Sequence, residues 1–356
     1  MITVLIPTFR RPDMLREALR SIMAQTARAE IAKVLVSENS EDNRSAEVVA
    51  EFPELPIEYV QRRPPLPPIE HGRALFQPRW PTEFVAVLHD DDWWRPEHLE
   101  QALRTLRQDE TTALYVAAAF TVNGPISRLA CDSNLFAWTG AGFPPFEQRW
   151  KLGLPETLLA CLLGTPSYYS AMVVRSAALH AAAAVLERDN PFDTDRLLIA
   201  ALGAEGGIIY QPLPAICIRR HPGQDVRTYD EGMRWLKYYN VTNEFIVELA
   251  TARGIDLRSL LESRLAECPA ADKNKLLRDL SKPWCLPFLR EKGLAPEVLL
   301  EYERAELHPR RTWKDLAKEL IPPALLKVSR RIRPPPGDQG QTAKNESKGA
   351  PRTSAS

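Results

Sequence analysis

The chain has 356 residues, 44% of them hydrophobic and 26% charged, which excludes a disordered or fibrous polymer and leaves one large globular domain or two ordinary ones. Lys plus Arg equals Asp plus Glu at 46 each, so no global field draws the chain to nucleic acid, although basic residues gather near the C-terminus. The cysteines (Cys131, Cys161, Cys217, Cys268 and Cys285) are odd in number and form no CxxC pair, which argues against a disulfide framework or a zinc ribbon and suits a reducing compartment.

In chain order, Ile2–Ile6 reads as a buried strand. A turn follows through Pro7-Thr8-Phe9-Arg10-Arg11, and Pro12 suits the first turn of a helix. Met14, Leu15, Ala18, Leu19 and Ile22 then recur at helical spacing. Val34–Val36 is a second strand, Val48, Val49 and Phe52 mark a second helix, and Ile57–Val60 is a third strand. The proline-rich Arg62–Pro68 stretch is an extended loop. Phe84–Leu88 is a fourth strand, and Leu99, Ala102, Leu103 and Leu106 mark the helix after it. Strands alternating with helices predict a doubly wound, mostly parallel sheet with helices on both faces.

Further on, Leu114–Phe120 and Ala171–Val174 read as strands, Ser176–Leu186 and Asp193–Leu202 as helices, and Ile208–Tyr210 and Ile216–Ile218 as two more strands. Asn134–Arg149, rich in Gly, Pro and aromatics, suits a substrate-facing loop. From about Asp230 helical periodicity dominates. The expected division is therefore a catalytic domain over 1–228, a helical C-terminal region over 229–336 and a disordered polar tail over 337–356.

The fourth strand ends in Asp90, Asp91 and Asp92. Open α/β sheets bind their ligands at the carboxyl ends of the strands. Three adjacent negative charges repel, so a positive partner is expected, and a hard divalent cation with a phosphorylated substrate is the natural one. A solvated acidic turn before a helix is the other reading of the same residues.

Taken together, the pieces resemble the family 2 glycosyltransferases of the GT-A fold. The resemblance rests on Val4-Leu5-Ile6-Pro7-Thr8-Phe9-Arg10-Arg11-Pro12, Ile22-Met23-Ala24-Gln25-Thr26, Val36-Ser37-Glu38-Asn39-Ser40-Glu41-Asp42, Leu88–Trp93, Tyr169–Val174, Asp195 and Arg219-Arg220-His221. Each motif alone is weak; their order and spacing over roughly residues 2–224 are specific. The resemblance implies an inverting, metal-dependent enzyme that moves a sugar from a nucleotide diphosphate sugar, a UDP-sugar first, to a glycan or lipid-linked glycan. The implied cofactor is Mn²⁺ or Mg²⁺.

It also implies roles for particular residues. Asp91, then Asp92, would hold the metal, and Asp90 would bind the ribose hydroxyls or help hold the metal. His221 would ligate the metal or bind the diphosphate, or else be a surface histidine. His89 stands where relatives often carry another acid and reads as structural. Asp195 would be the general base, with Asp193 as its rival; a helix cap is the alternative for either. Glu38 would read an N–H of the nucleobase, although the family more often has Asp there. Pro7, Thr8 and Phe9 would line the base pocket. Arg10 or Arg11 would pair with phosphate or with nearby acids, and Arg73 would contact the donor diphosphate or lie in a solvated loop.

The N-terminus enters a strand at once without a basic-then-apolar leader, and no stretch approaches the ~18–20 apolar residues of a membrane span. A cytoplasmic protein is expected. Residues 311–333 interleave Trp313, Leu316, Leu320, Leu325 and Leu326 with Lys314, Lys318, Lys327, Arg330, Arg331 and Arg333. That pattern fits either a helix lying on an anionic membrane or one packed on the core. Two other functions compete. A sugar nucleotidyltransferase would carry a glycine-rich loop after the first strand, which Pro7–Arg11 lacks. A glycan-binding scaffold on a decayed fold is at odds with an intact Asp90–Asp92 trio.

Overall fold

The computed structural model describes residues 1–123, 131–132, 150–190, 193–221 and 236–307. Asn134–Arg149, the 228/229 division, residues 311–333 and the tail lie outside them. Residues 1–303 form one compact unit.

Its centre is a ten-stranded sheet. β1 (Ile2–Thr8), β2 (Ile31–Glu38), β3 (Ile57–Gln61) and β4 (Phe84–Val87) are mutually parallel in the order β3-β2-β1-β4. β1 and β4, inside the sheet, are almost wholly buried because both their faces are covered, whereas the edge strand β3 is only partly buried. Ile2, Val4 and Ile6 of β1 join one core layer and Leu5 joins the other, as the two-residue period of a strand requires. Beyond β4 the sheet continues through β9 (Met172–Arg175), β6 (Thr112–Asn123) and β10 (Gly207–Arg220) to β5 (Trp93–Trp94). β9 runs antiparallel to both neighbours, whereas β6 and β10 are parallel. Two further short strands, β7 (Cys131–Asp132) and β8 (Trp150–Leu152), pair with β6 and β10.

One face carries α1 (Pro12–Met23), α2 (Arg44–Ala50) and α4 (His98–Gln108). In α1, Pro12 sits in the first turn and Leu15, Ala18, Leu19 and Ile22 are buried, as their spacing predicts. The other face carries α3 (Pro68–Phe76), α5 (Leu154–Leu163), α6 (Ser176–Ala182) and α7 (Thr194–Glu205). α8 (Leu236–Ala252) supplies Ile246 and Ala250 to that same layer, and α9 (Leu257–Glu267), α10 (Ala270–Leu280), α11 (Leu286–Glu291) and α12 (Glu297–Leu307) supply buried leucines.

Three local departures from the sequence reading have physical causes. α3 begins at Pro68 inside what reads as loop, because a proline is also a good first helical residue. α5 has no polar stripe: all seven residues from Thr157 to Leu163 are buried, so no amphipathic period announces it. The two short strands expected around 208–218 are one strand, with register shifts between Gln211 and Ile216 absorbing Pro212 and Pro214. No helix among the described residues is long and apolar enough to cross a membrane.

Candidate active site

β4 delivers the chain to the carboxyl end of the sheet, where Asp90, Asp91 and Asp92 are all buried, at 3%, 7% and 4% exposure. They are therefore not a solvated turn, and each must be compensated. Asp90 Oδ2 accepts from the Thr8 hydroxyl (2.8 Å) and the Phe9 N–H (3.3 Å), and its Oδ1 accepts from Arg11 Nη1 (3.2 Å). Arg11 Nη1 also donates to Asp91 Oδ2 (3.2 Å), so one guanidinium bridges two carboxylates. His221 Nε2 lies 3.0 Å from the same Asp91 oxygen. Asp92 Oδ2 accepts from Ser170 Oγ (2.6 Å), and its Oδ1 accepts from the Arg219 N–H (3.0 Å). Arg219 Nε in turn donates to the Asp91 carbonyl (3.0 Å), and its Nη2 bonds Glu17.

These surroundings separate the three acids. Burial raises the carboxyls of Asp90 and Asp92, and repulsion from Asp91 adds to it; Arg11 opposes the rise at Asp90. Burial acts on Asp91 too, but His89, His221 and Arg11 outweigh it and hold that carboxyl below its ordinary range.

His89, Asp91 and Asp92 each bring one ligand atom within 4.8 Å of the others. Two carboxylate oxygens and an imidazole, largely buried, form a donor set that fits Mn²⁺ or Mg²⁺. His89, which reads as structural in the sequence, joins this group. His221, expected among the ligands, borders this group, with its Nε2 3.0 Å from Asp91 Oδ2.

The opposite wall comes from the segment before β9. Ser170 bonds Asp92 and accepts from the His89 N–H (3.0 Å). The Tyr169 ring lies 5.9 Å from the His89 ring, and its hydroxyl bonds Thr194, the first residue of α7. Tyr168 is 38% exposed; burial raises its phenol, and the charges of Asp195 and Asp92 raise it further. Three consecutive residues therefore join the acidic turn to the helix bearing Asp195. Ser170 carries no distinguishing sequence signal and is found only by its contacts.

Asp195 lies in the first turn of α7 and is half-buried. Burial and the neighbouring Asp193 push its carboxyl up to about 7, against the Arg196 N–H that donates to Oδ1 at 2.9 Å. Asp193, weighed as a rival base, is 2% exposed, and its Oδ2 accepts from Arg196 Nε (2.7 Å) and Thr242 Oγ1 (2.6 Å). A carboxylate enclosed this way is occupied in holding helices together, which weighs against it as the base.

On the far side, Glu38 ends β2 opposite Thr8 in register and is fully buried. Its Oε2 accepts from Ser45 Oγ, while Oε1 has no hydrogen-bond partner. Phe9 is 48% exposed at the mouth of the same strand end, and Pro7 pairs with Ser37. Arg73 is not in a solvated loop: it sits in α3 and its Nη2 donates to the Arg188 carbonyl (2.6 Å), while its Nε is buried without a partner.

Residues 3–140 match the family model described as glycosyl transferase family 2. No curated protein matches the sequence. Among solved structures, S. aureus TarS 1–349 in complex with UDP-GlcNAc is 14% identical, covers 86% of this chain and 92% of its own, and has a TM-score of 0.50. S. aureus TarS 1–349 without that ligand is 14% identical, with 87% and 92% coverage and a TM-score of 0.50. The chain spans half the length of the longer S. aureus TarS structure, at 14% identity, 76% coverage of this chain and a TM-score of 0.47. At this identity the likeness to the shorter structures establishes a shared fold, the GT-A arrangement of a mixed sheet with helices on both faces.

Proposed function

We propose that this chain, which belongs to glycosyl transferase family 2, is an inverting, metal-dependent glycosyltransferase that moves a sugar from UDP-sugar to a glycan or lipid-linked glycan. The observation that carries the reading is the short Tyr168–Ser170 bridge. It links an acidic turn suited to a donor diphosphate to the helix start that bears a carboxylate suited to an acceptor hydroxyl.

In this reading Asp195 accepts the acceptor hydroxyl proton as its oxygen attacks the anomeric carbon, and the bond from that carbon to the diphosphate breaks on the opposite face. A carboxyl pushed up to about 7 is a better proton acceptor near neutrality than one at the ordinary ~4. His89, Asp91 and Asp92 would hold the Mn²⁺ or Mg²⁺, which when bound neutralises the charge developing on the leaving diphosphate. Arg11 fixes Asp90 and Asp91 against each other, leaving their geometry set before the donor arrives. Pro7, Thr8 and Phe9 would line the base, with the Phe9 ring available for stacking. His221 would hold Asp91 in place or reach the diphosphate, and Arg73 would approach the same phosphates from α3.

The unpartnered Glu38 Oε1 supports a uracil base. A buried acceptor without a donor is costly, and the uracil ring offers one N–H to such an oxygen. Glu38→Gln should weaken UDP binding by about 10- to 100-fold, the worth of one charge-assisted hydrogen bond. Isothermal titration of UDP into wild type and variant checks this, and equal affinities would remove Glu38 from base recognition.

The 311–333 segment lies outside the described residues, and only its sequence supports membrane contact. Full-length protein should co-sediment with anionic vesicles at low salt and be released as salt rises, since each Lys or Arg near the surface adds ~1 kcal/mol of screened attraction. A chain ending at His308 should remain in the supernatant. Full-length protein that ignores such vesicles at low salt would end the membrane reading.

A further inference from the structure

We propose that Arg196 is a positioning residue for the acceptor side of the reaction, tying the first turn of the helix that bears Asp195 to the C-terminal helical layer. That layer is then part of the transfer machinery. The inference rests on Asp195 acting as the base.

Arg196 follows Asp195 in sequence and is fully buried. Its guanidinium reaches three separate elements. Nε donates to Asp193 Oδ2 (2.7 Å) at the start of α7, Nη1 to the Cys161 carbonyl (2.9 Å) of α5, and Nη2 to the Tyr239 carbonyl (2.7 Å) of α8. Its central carbon lies 4.2 Å from the centre of the Tyr239 ring. Only a planar fork with several fixed donors can make these bonds at once; a lysine ammonium cannot.

The partners are themselves engaged. Thr242 of α8 donates to the same Asp193 oxygen, and Asn190 donates to Thr242 Oγ1 (2.9 Å) and to the Tyr238 carbonyl (3.1 Å) while accepting from the Asp193 N–H (2.9 Å). α8 is thus bonded to both sides of the turn that launches α7. The Arg196 backbone N–H meanwhile donates to Asp195 Oδ1. A satisfied buried network with this many bonds has one arrangement, so a shift of α8 is felt at Asp195.

The groups facing Asp195 are Asp193 and Arg196 on its own helix, Tyr168 and Tyr169 before β9, Cys161 on α5 and Tyr239 on α8. Arg196 is the cation among these groups. Its loss should therefore move the protonation of Asp195 to higher pH as well as loosen its placement.

The test uses full-length protein. Arg196→Gln alone strands Asp193 as a buried charge, so the double variant Asp193→Asn/Arg196→Gln, which keeps a neutral hydrogen-bonded pair, is measured beside Arg196→Lys. Turnover is read as UDP release from whichever of UDP-glucose, UDP-galactose and UDP-GlcNAc the wild type consumes, and UDP affinity by titration calorimetry. We expect UDP affinity within twofold of wild type, kcat lowered by about 10- to 100-fold, and, in the double variant, an acid limb of the pH profile shifted downward, because the lost repulsion of Asp193 outweighs the lost attraction of Arg196. Thr242→Val, which removes only the α8 donor to Asp193, serves if those variants fail to fold; it should lower kcat by about three- to tenfold with UDP affinity kept. Folded, UDP-binding variants with kcat within twofold of wild type and an unmoved acid limb would overturn the inference. Wild-type turnover in Asp195→Asn would instead overturn the base reading, and this inference with it.

Discussion

Asp91→Ala should abolish metal-dependent UDP binding and lower turnover by at least about 10²–10³-fold, the scale of removing one element that stabilises developing charge. Among the three acids Asp91 is the one whose carboxyl is held below its ordinary range, by His89, His221 and Arg11 against the effect of burial. Asp90 and Asp92 are each occupied by donors of the protein: Thr8, Phe9 and Arg11 for the first, Ser170 and the Arg219 N–H for the second. The variant should fold, because Arg11 retains Asp90 as its partner. Calorimetry of UDP in Mn²⁺ and in EDTA reads the effect directly. Wild type should bind more tightly with Mn²⁺, and Asp91→Ala should bind equally weakly in both. Equal wild-type affinity with and without EDTA would show that the trio serves no metal. The same titration separates the histidines. His89→Ala should weaken the Mn²⁺ effect about tenfold or more as a lost ligand, whereas His221→Ala should weaken it less, as a lost partner of Asp91.

Much of this arrangement is legible in the sequence, for reasons specific to each element. β1 to β4 and α1 announce themselves because burial on both faces demands continuous apolar runs in the strands, and burial on one face demands a 3.6-residue period in the helix. The Asp90–Asp92 trio is legible because consecutive carboxylates at a strand end have few other uses. α5 is hidden, since a helix buried all round has no polar stripe to reveal its period. His89 is hidden for another reason. An imidazole beside a carboxylate trio is chemically ambiguous, and only its distance from Asp91 and Asp92 makes it a candidate ligand. Ser170 and Arg196 lie far from their partners in sequence, at Asp92 and Tyr239, so no local pattern encodes their bonds. What the sequence conveys well is residue chemistry at strand ends; what it withholds is which distant groups satisfy it.

That distinction bears on how the helical layer should be regarded. Texture alone suggests an appendage beginning near residue 230. Hydrogen bonds and apolar contacts tie the described helices to the sheet and its covering layer. Arg73 and Asn190 bond across to Arg188 and α8, Arg188 pairs with Glu248, and Asn243 of α8 donates to the Trp284 carbonyl at 2.7 Å. Leucines from α9, α10 and α11 complete the same apolar layer that α5 and α7 form against the sheet. Removing these helices would expose that layer to water, at a cost of about 25 cal/mol for each Å² of apolar surface uncovered.

Asp195→Asn should leave UDP affinity near the wild-type value while lowering turnover by about 10²–10⁴-fold. The amide preserves shape and can still accept the Arg196 N–H, so the helix start is not disturbed; what is lost is the capacity to take a proton. Asp193→Asn should act differently. It weakens the buried pairing with Arg196 and lowers thermal stability, and turnover should fall much less than in Asp195→Asn. The reverse ranking in kcat would transfer the base to Asp193. The pH profile offers an independent reading of the same carboxylate. Proton abstraction needs the ionised form, so activity must fall as pH drops through the folded-state pKa, by tenfold for each further unit. With Asp195 pushed up to about 7 by burial and by Asp193, that fall should begin close to neutrality, about three units above where an ordinary aspartate would place it. Residual activity in Asp195→Asn should lack this acid limb. A wild-type rate that stays level down to pH 5 would mean that the essential base is a carboxylate in an ordinary environment, and Asp195 would lose the role.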